Sequence, residues 1–188
     1  MPYLFLLISL MILTGCEQKP PERQYTEVII EASKADIPAM MPAVHAVDLT
    51  WKSPQGWMEG AHQGMRLATF HLENAPEDID VSIVALDGMA GGLEANLGRW
   101  LGQIQLSVSE DALAKLITQA QVVRTTGQIE AKIYDFTALT HGEDAGSMIA
   151  AMMSINGRTV FIKMTGSKNN CRKQKDNFLE LVRSISAP

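Results

Sequence analysis

The dipeptide Asn156-Gly157 lies between two runs of strand-forming residues, Ser147 to Ile155 and Arg158 to Thr165. Asn and Gly both accept the positive φ angles of a two-residue hairpin, so this pair predicts an antiparallel ribbon of fixed register. Slippage by one residue would turn every side chain to the opposite face. In the first run Met148 and Met152 share a face and Met153 points away. Any fold open to the chain must contain this ribbon.

The remaining periodicities extend it. Asp48 to Trp51, Trp57 to Glu59 after a Pro54-Gln55-Gly56 turn, and Met65 to Leu72 read as strands, the last with Ala68, Phe70 and Leu72 on one face. Asp80 to Leu86 is nearly apolar on both faces, which predicts a strand with layers on each side. Leu93, Leu97, Trp100, Leu101 and Ile104 fall in one arc of a helix from Gly92 to Leu106. Ser109 suits an N-cap, with Glu110 and Asp111 at the positive end of a second helix carrying Leu113, Leu116, Ile117 and Ala120. Gln121 to Thr125 and Ala131 to Thr137 read as strands. Asn170 to Ile185 sets Phe178, Leu181, Val182 and Ile185 at i, i+3, i+4 and i+7 of a closing helix. Hairpin connections dominate and no βαβ repeat is visible, so the expectation is an α+β fold, a mostly antiparallel sheet with helices packed on it.

Of the 188 residues 46% are apolar and 20% charged, as in an ordinary globular protein. A formal net charge of −5, from 16 Lys and Arg against 21 Asp and Glu, argues against a nucleic-acid partner held by broad phosphate neutralisation. Two cysteines cannot build a disulfide scaffold.

The N-terminus reads as an address. Tyr3 to Leu13 is apolar except for one Ser, too short for the roughly 20 residues of a membrane-crossing helix and suited to a signal-peptide core. It ends in Leu13-Thr14-Gly15-Cys16, which looks like a bacterial lipobox, in which the cysteine sulfur receives diacylglycerol. The expected organisation is a leader over 1–15, a lipid-anchored N-terminus and tether over 16–46, and one α+β domain over 47–188. Glu17 to Gln24 is polar and broken by Pro20-Pro21, as suits a spacer. Tyr25 to Glu31 has strand-forming composition, whereas Pro38 and Pro42 make Ser33 to Val47 a poor candidate for regular structure. The expected partners are membrane lipid, through the anchor on Cys16, and a protein of the cell envelope. Glu17 after the cysteine favours the outer membrane if the host is Gram-negative.

The stretches Trp51-Lys-Ser-Pro-Gln-Gly-Trp57, Met65-Arg-Leu-Ala-Thr-Phe70 and Gly91-Gly-Leu-Glu-Ala-Asn96-Leu-Gly-Arg99-Trp100-Leu-Gly-Gln103, with Val160 to Gly166 and the last helix, resemble a family of uncharacterised bacterial envelope lipoproteins. No activity comes with those motifs. The Pro-Gly-Trp opening and the closing Phe178, Val182, Ser184, Ile185 pattern are also similar to PsbP-like and DcrB-like domains. That resemblance implies an α/β/α sandwich around an antiparallel sheet and a non-catalytic accessory or binding role.

Among polar side chains, Asn96, Arg99 and Gln103 fall within about 60° on a helix, beside Trp100. The Arg fork and the two amides suit a ligand or partner, and equally suit a tie between this helix and a neighbouring loop. Gly88 to Gly92 lacks the spacing of a P-loop or dinucleotide fingerprint and reads as a turn. Of 11 Met, only Met1 and Met11 lie in the leader; Met40-Met41 and Met148, Met152 and Met153 make copper handling the alternative, with a small envelope enzyme beside it. Core packing explains those methionines more simply. The histidines at 45, 62, 71 and 141 lack zinc-site spacing. No catalytic residue, metal ligand or cofactor is assigned. Cys171, amid Lys163, Lys168, Arg172, Lys173 and Lys175, reads as buried and inert, and that basic run as a surface for anionic headgroups.

Overall fold

A computed structural model describes residues 48–61, 64–73 and 79–188. The expected leader, Cys16, the expected tether and the Tyr25 to Glu31 segment lie outside the described residues.

The Asn156-Gly157 turn closes the ribbon as expected, with φ of 49° and 77°. It joins the two longest strands, Gly146–Ile155 and Arg158–Ser167, which pair from Ile155↔Arg158 to Gly146↔Ser167. In chain order the strands are β1 (Trp57–Glu59), β2 (Arg66–Leu72), β3 (Asp80–Asp87), β4 (Gln121–Arg124), β5 (Glu130–Asp135), β6 (Gly146–Ile155) and β7 (Arg158–Ser167). They form one sheet in the order β1-β2-β3-β7-β6-β5-β4, every neighbouring pair antiparallel.

Helices cover both faces. On one lie α1 (Leu93–Gln103) and α2 (Glu110–Thr118), and on the other α3 (Lys168–Lys173) and α4 (Lys175–Ser184). Beneath α1, Leu97, Trp100 and Leu101 pack on Tyr134, Phe136, Met148, Ala150 and Phe161. Trp100 meets Phe161 edge to face, with ring centroids 5.5 Å apart, a favoured aromatic geometry. Beneath α4, Phe178, Leu181, Val182 and Ile185 pack on a layer that runs from Trp57 of β1 to Val123 of β4. The expected antiparallel α+β fold with helices on both faces is what the chain forms.

Four segments depart from expectation. Asp48 to Trp51 is no sheet strand, because only Thr50 pairs, in an isolated bridge with Ser186. Helix α1 stops before Leu106, since Gln105 takes a left-handed φ of 53° and the Leu106 N–H returns to the Leu101 carbonyl, a C-terminal cap usually signalled by Gly. Strand β5 ends at Asp135, whose side chain accepts from the Thr137 N–H (2.9 Å) and hydroxyl (2.6 Å) and bends the chain into a 3-10 turn over Phe136–Ala138. The closing helix is two helices broken at Gln174. Cys171 of α3 seats against β6, whereas α4 reaches across to β4, and a straight rod cannot follow both over a twisted sheet. Ser109 caps α2 as read, accepting from the Ala112 N–H.

Candidate functional site

The row proposed on α1 is divided by the fold. Asn96 is buried and donates to the Ala90 (3.1 Å) and Gly92 (2.6 Å) carbonyls. Its own oxygen accepts from Arg99, whose guanidinium also reaches the Ala90 carbonyl at 3.1 Å. Asn96 and Arg99 thus stitch the turn through Ala90, Gly91 and Gly92, three successive residues with positive φ, to the helix it starts. Trp100 points into the core, and Gln103 stands exposed at the helix end, accepting from the Lys163 ammonium at 3.3 Å. The four side chains do not converge on one cavity.

The other sequence candidates are dispersed as well. Met148 and Met153 are buried on opposite faces of the sheet, and Met152 lies on the Met148 side. His71 and His141 are exposed and far apart in the chain, while His45, His62 and Met40-Met41 lie outside the described residues. The Cys171 thiol is buried and donates to the Ser147 carbonyl at 3.8 Å. Lys168 and Arg172 face Glu143, and Lys175 pairs with Asp135, on the α3–α4 side. Lys163 emerges on the opposite face, so the basic run is not one surface.

A further cavity was not singled out from the sequence. It is an open groove of about 720 Å³ between α2 and the ends of β4 and β5. Ala112, Leu116, Ile133 and Leu139 give it apolar walls, with Lys115 and Asp135 among its charged groups. Asp135 is held by the Lys175 ammonium at 2.8 Å in addition to its two bonds from Thr137. An apolar trough with a fixed carboxylate–ammonium pair at its rim suits an amphiphilic group or an extended peptide bearing a charge. Asp135-x-Thr137 is a recognisable turn signal, but Lys175, 40 residues on, reaches it only through the packing of α4. A smaller groove of about 410 Å³ lies beside Leu93, Lys132, Tyr134 and Met152, where burial pushes the Tyr134 phenol above its ordinary value.

An antiparallel sheet between two helical layers is the class of domain these residues build. No family model matches the chain, and no curated protein sequence matches it. Among solved structures it is similar to a protein of Bacteroides thetaiotaomicron (TM-score 0.42, 13% identity, over 75% of this chain and 45% of that one). It is similar also to the cyanobacterial PsbP of Synechocystis sp. PCC 6803 (0.39, 12%, over 78% and 96%) and to LpqN of Mycobacterium tuberculosis, described as involved in cell envelope biogenesis (0.43, 11%, over 74% and 83%). The chain spans less than half the length of the Bacteroides protein.

Proposed function

We propose that the chain is a lipid-anchored module of the bacterial cell envelope that binds a partner or ligand without transforming it, and that the groove beside α2 is its binding surface. The observation that carries this reading is Leu13-Thr14-Gly15-Cys16 at the end of an apolar run, followed by a polar, proline-broken stretch. Several acyl chains on Cys16 would hold the protein to its membrane, because each buried methylene contributes about 0.8 kcal/mol. Glu17 after the cysteine favours the outer membrane in a Gram-negative host. The groove supports the binding half of the reading, since its walls are apolar and the Asp135 carboxylate at its rim is already oriented by Lys175 and Thr137.

Metabolic labelling with a tagged fatty acid, mass spectrometry of the mature N-terminus and membrane sedimentation test the anchor together. Full-length protein is expected to carry acyl groups on Cys16 and to sediment with membranes, and Cys16→Ser to lose both. A bare Cys16 thiol on protein recovered from the cytosol would overturn the reading.

A further inference from the structure

Lys132 and Tyr134, two residues apart on β5, share the α1–α2 face of the sheet and line the groove of about 410 Å³ that opens where α1 begins, at Leu93. Met152 of β6 stands directly opposite Lys132, and Ala150 opposite Tyr134. Leu93 and Met152 give the groove its apolar wall. Thr159 lines its far end, where its hydroxyl is already spent on the Gly88 carbonyl at 2.6 Å.

Two polar groups of this groove are left unspent by the fold. The Tyr134 ring is fixed among Leu97, Trp100, Phe136 and Met148, with the Trp100 ring centroid 6.2 Å away, and the residue is 1% exposed. Its hydroxyl has no hydrogen-bond partner among the described residues, an uncommon state on so buried a residue. Among those residues only the Thr69 hydroxyl is both unbonded and fully buried, so the sliver of Tyr134 that solvent reaches includes its oxygen, at the wall of the groove. Burial holds the phenol pKa above its ordinary value, so near neutral pH the group keeps its proton and can donate it. Lys132 is exposed and meets no carboxylate among the described residues, whereas Glu130, the acidic residue of the lining, pairs with Arg124 at 3.1 Å. The groove is left with one uncompensated positive charge.

We propose that this groove binds a small amphiphilic carboxylate, with its apolar body on Leu93 and Met152 and its carboxylate between the Tyr134 hydroxyl and the Lys132 ammonium. Residues two apart on a strand are separated by about 7 Å, a span that one carboxylate held between their side chains can bridge. One neutral and one charged donor match its two oxygens, whereas a tetrahedral oxyanion would keep most of its acceptors bare and a cation would meet Lys132. The packed Tyr134 ring presents its donor already ordered, which lowers the cost of binding. The site depends neither on acylation of Cys16 nor on the groove beside α2.

The test titrates full-length protein with octanoate, below its micellar range and at constant ionic strength, following the Met152 methyl and Tyr134 ring resonances. Saturable shifts at both are expected, with affinity lowered about tenfold in Tyr134→Phe and about fivefold in Lys132→Gln. Octanol, which has the same apolar body without the charge, should bind about tenfold more weakly than octanoate. Because the phenol oxygen makes no bond in the fold, Tyr134→Phe should keep the parent melting temperature; a fall of several degrees would make the hydroxyl structural and overturn the proposal. Octanol binding as tightly as octanoate would reduce the groove to an apolar surface and overturn it too. So would non-saturable shifts, an affinity unchanged in both variants, or shifts confined to Ala112 and Leu116 of the groove beside α2.

Discussion

The two faces of the sheet are built from the same strands and end differently. In β3, Val81 and Ile83 turn toward α4 and are fully buried in the larger core, while Asp80 and Ser82, alternating with them, turn the other way. The α4 side is apolar from β1 to β4. The α1 side is apolar beneath its helices and polar over β2 and β3, where the Arg66–Asp80 ion pair spans the Thr69 and Ser82 hydroxyls. The contrast teaches that alternation sets which residues share a face, whereas the reach of the covering helices decides which of them must be apolar.

Truncation on the fully covered face should have the largest effect. Phe178→Ala removes a fully buried ring from the α4 layer and should destabilise the protein by about 3–5 kcal/mol in chemical denaturation. On the half-covered face, Leu97→Ala should cost about 2–4 kcal/mol, because its cavity lies in a smaller cluster freer to relax. A larger loss for Leu97→Ala than for Phe178→Ala would break the comparison. Asn96→Ala leaves the Ala90 and Gly92 carbonyls without their amide donor and should cost about 1–3 kcal/mol, with calorimetry as the measure.

The smallest effect concerns the polar strip and sharpens the contrast through pH. Because the folded pKa of Lys163 lies below the ordinary 10.5, the unfolded chain binds its proton more tightly, so this group's contribution to stability rises as pH climbs from the folded value through 10.5. Lys163→Met should therefore raise the melting temperature at pH 7 and lose that advantage toward pH 10.5. Lys163 is only half-buried, so solvent screening holds the gain below about 1 kcal/mol. An advantage that grew with pH would show that the lysine is stabilised where it sits.

Much of the scaffold was legible because its signals are local. Asn156-Gly157, the Ser109 cap and the Phe178, Leu181, Val182 stripe each rest on a few adjacent residues, and each takes its expected place. The same alternation placed Met148 and Met152 opposite Met153. The end of α1 was hidden because Gln105 fills a left-handed position usually marked by Gly, and the break at Gln174 answers to the sheet beneath it. The polar strip over β2 and β3 was illegible for another reason. Lys163 faces Ser82 only because β7 inserts beside β3, a strand order that no short window of sequence contains. The groove at Asp135 depends likewise on where α4 lies.

Among the described strands the sheet's two margins are also its shortest members, three residues in β1 and four in β4. Little unpaired backbone is thus left to template a second chain. Copies crowded side by side would find few hydrogen bonds to share, and could reach high concentration without zipping into continuous ribbons.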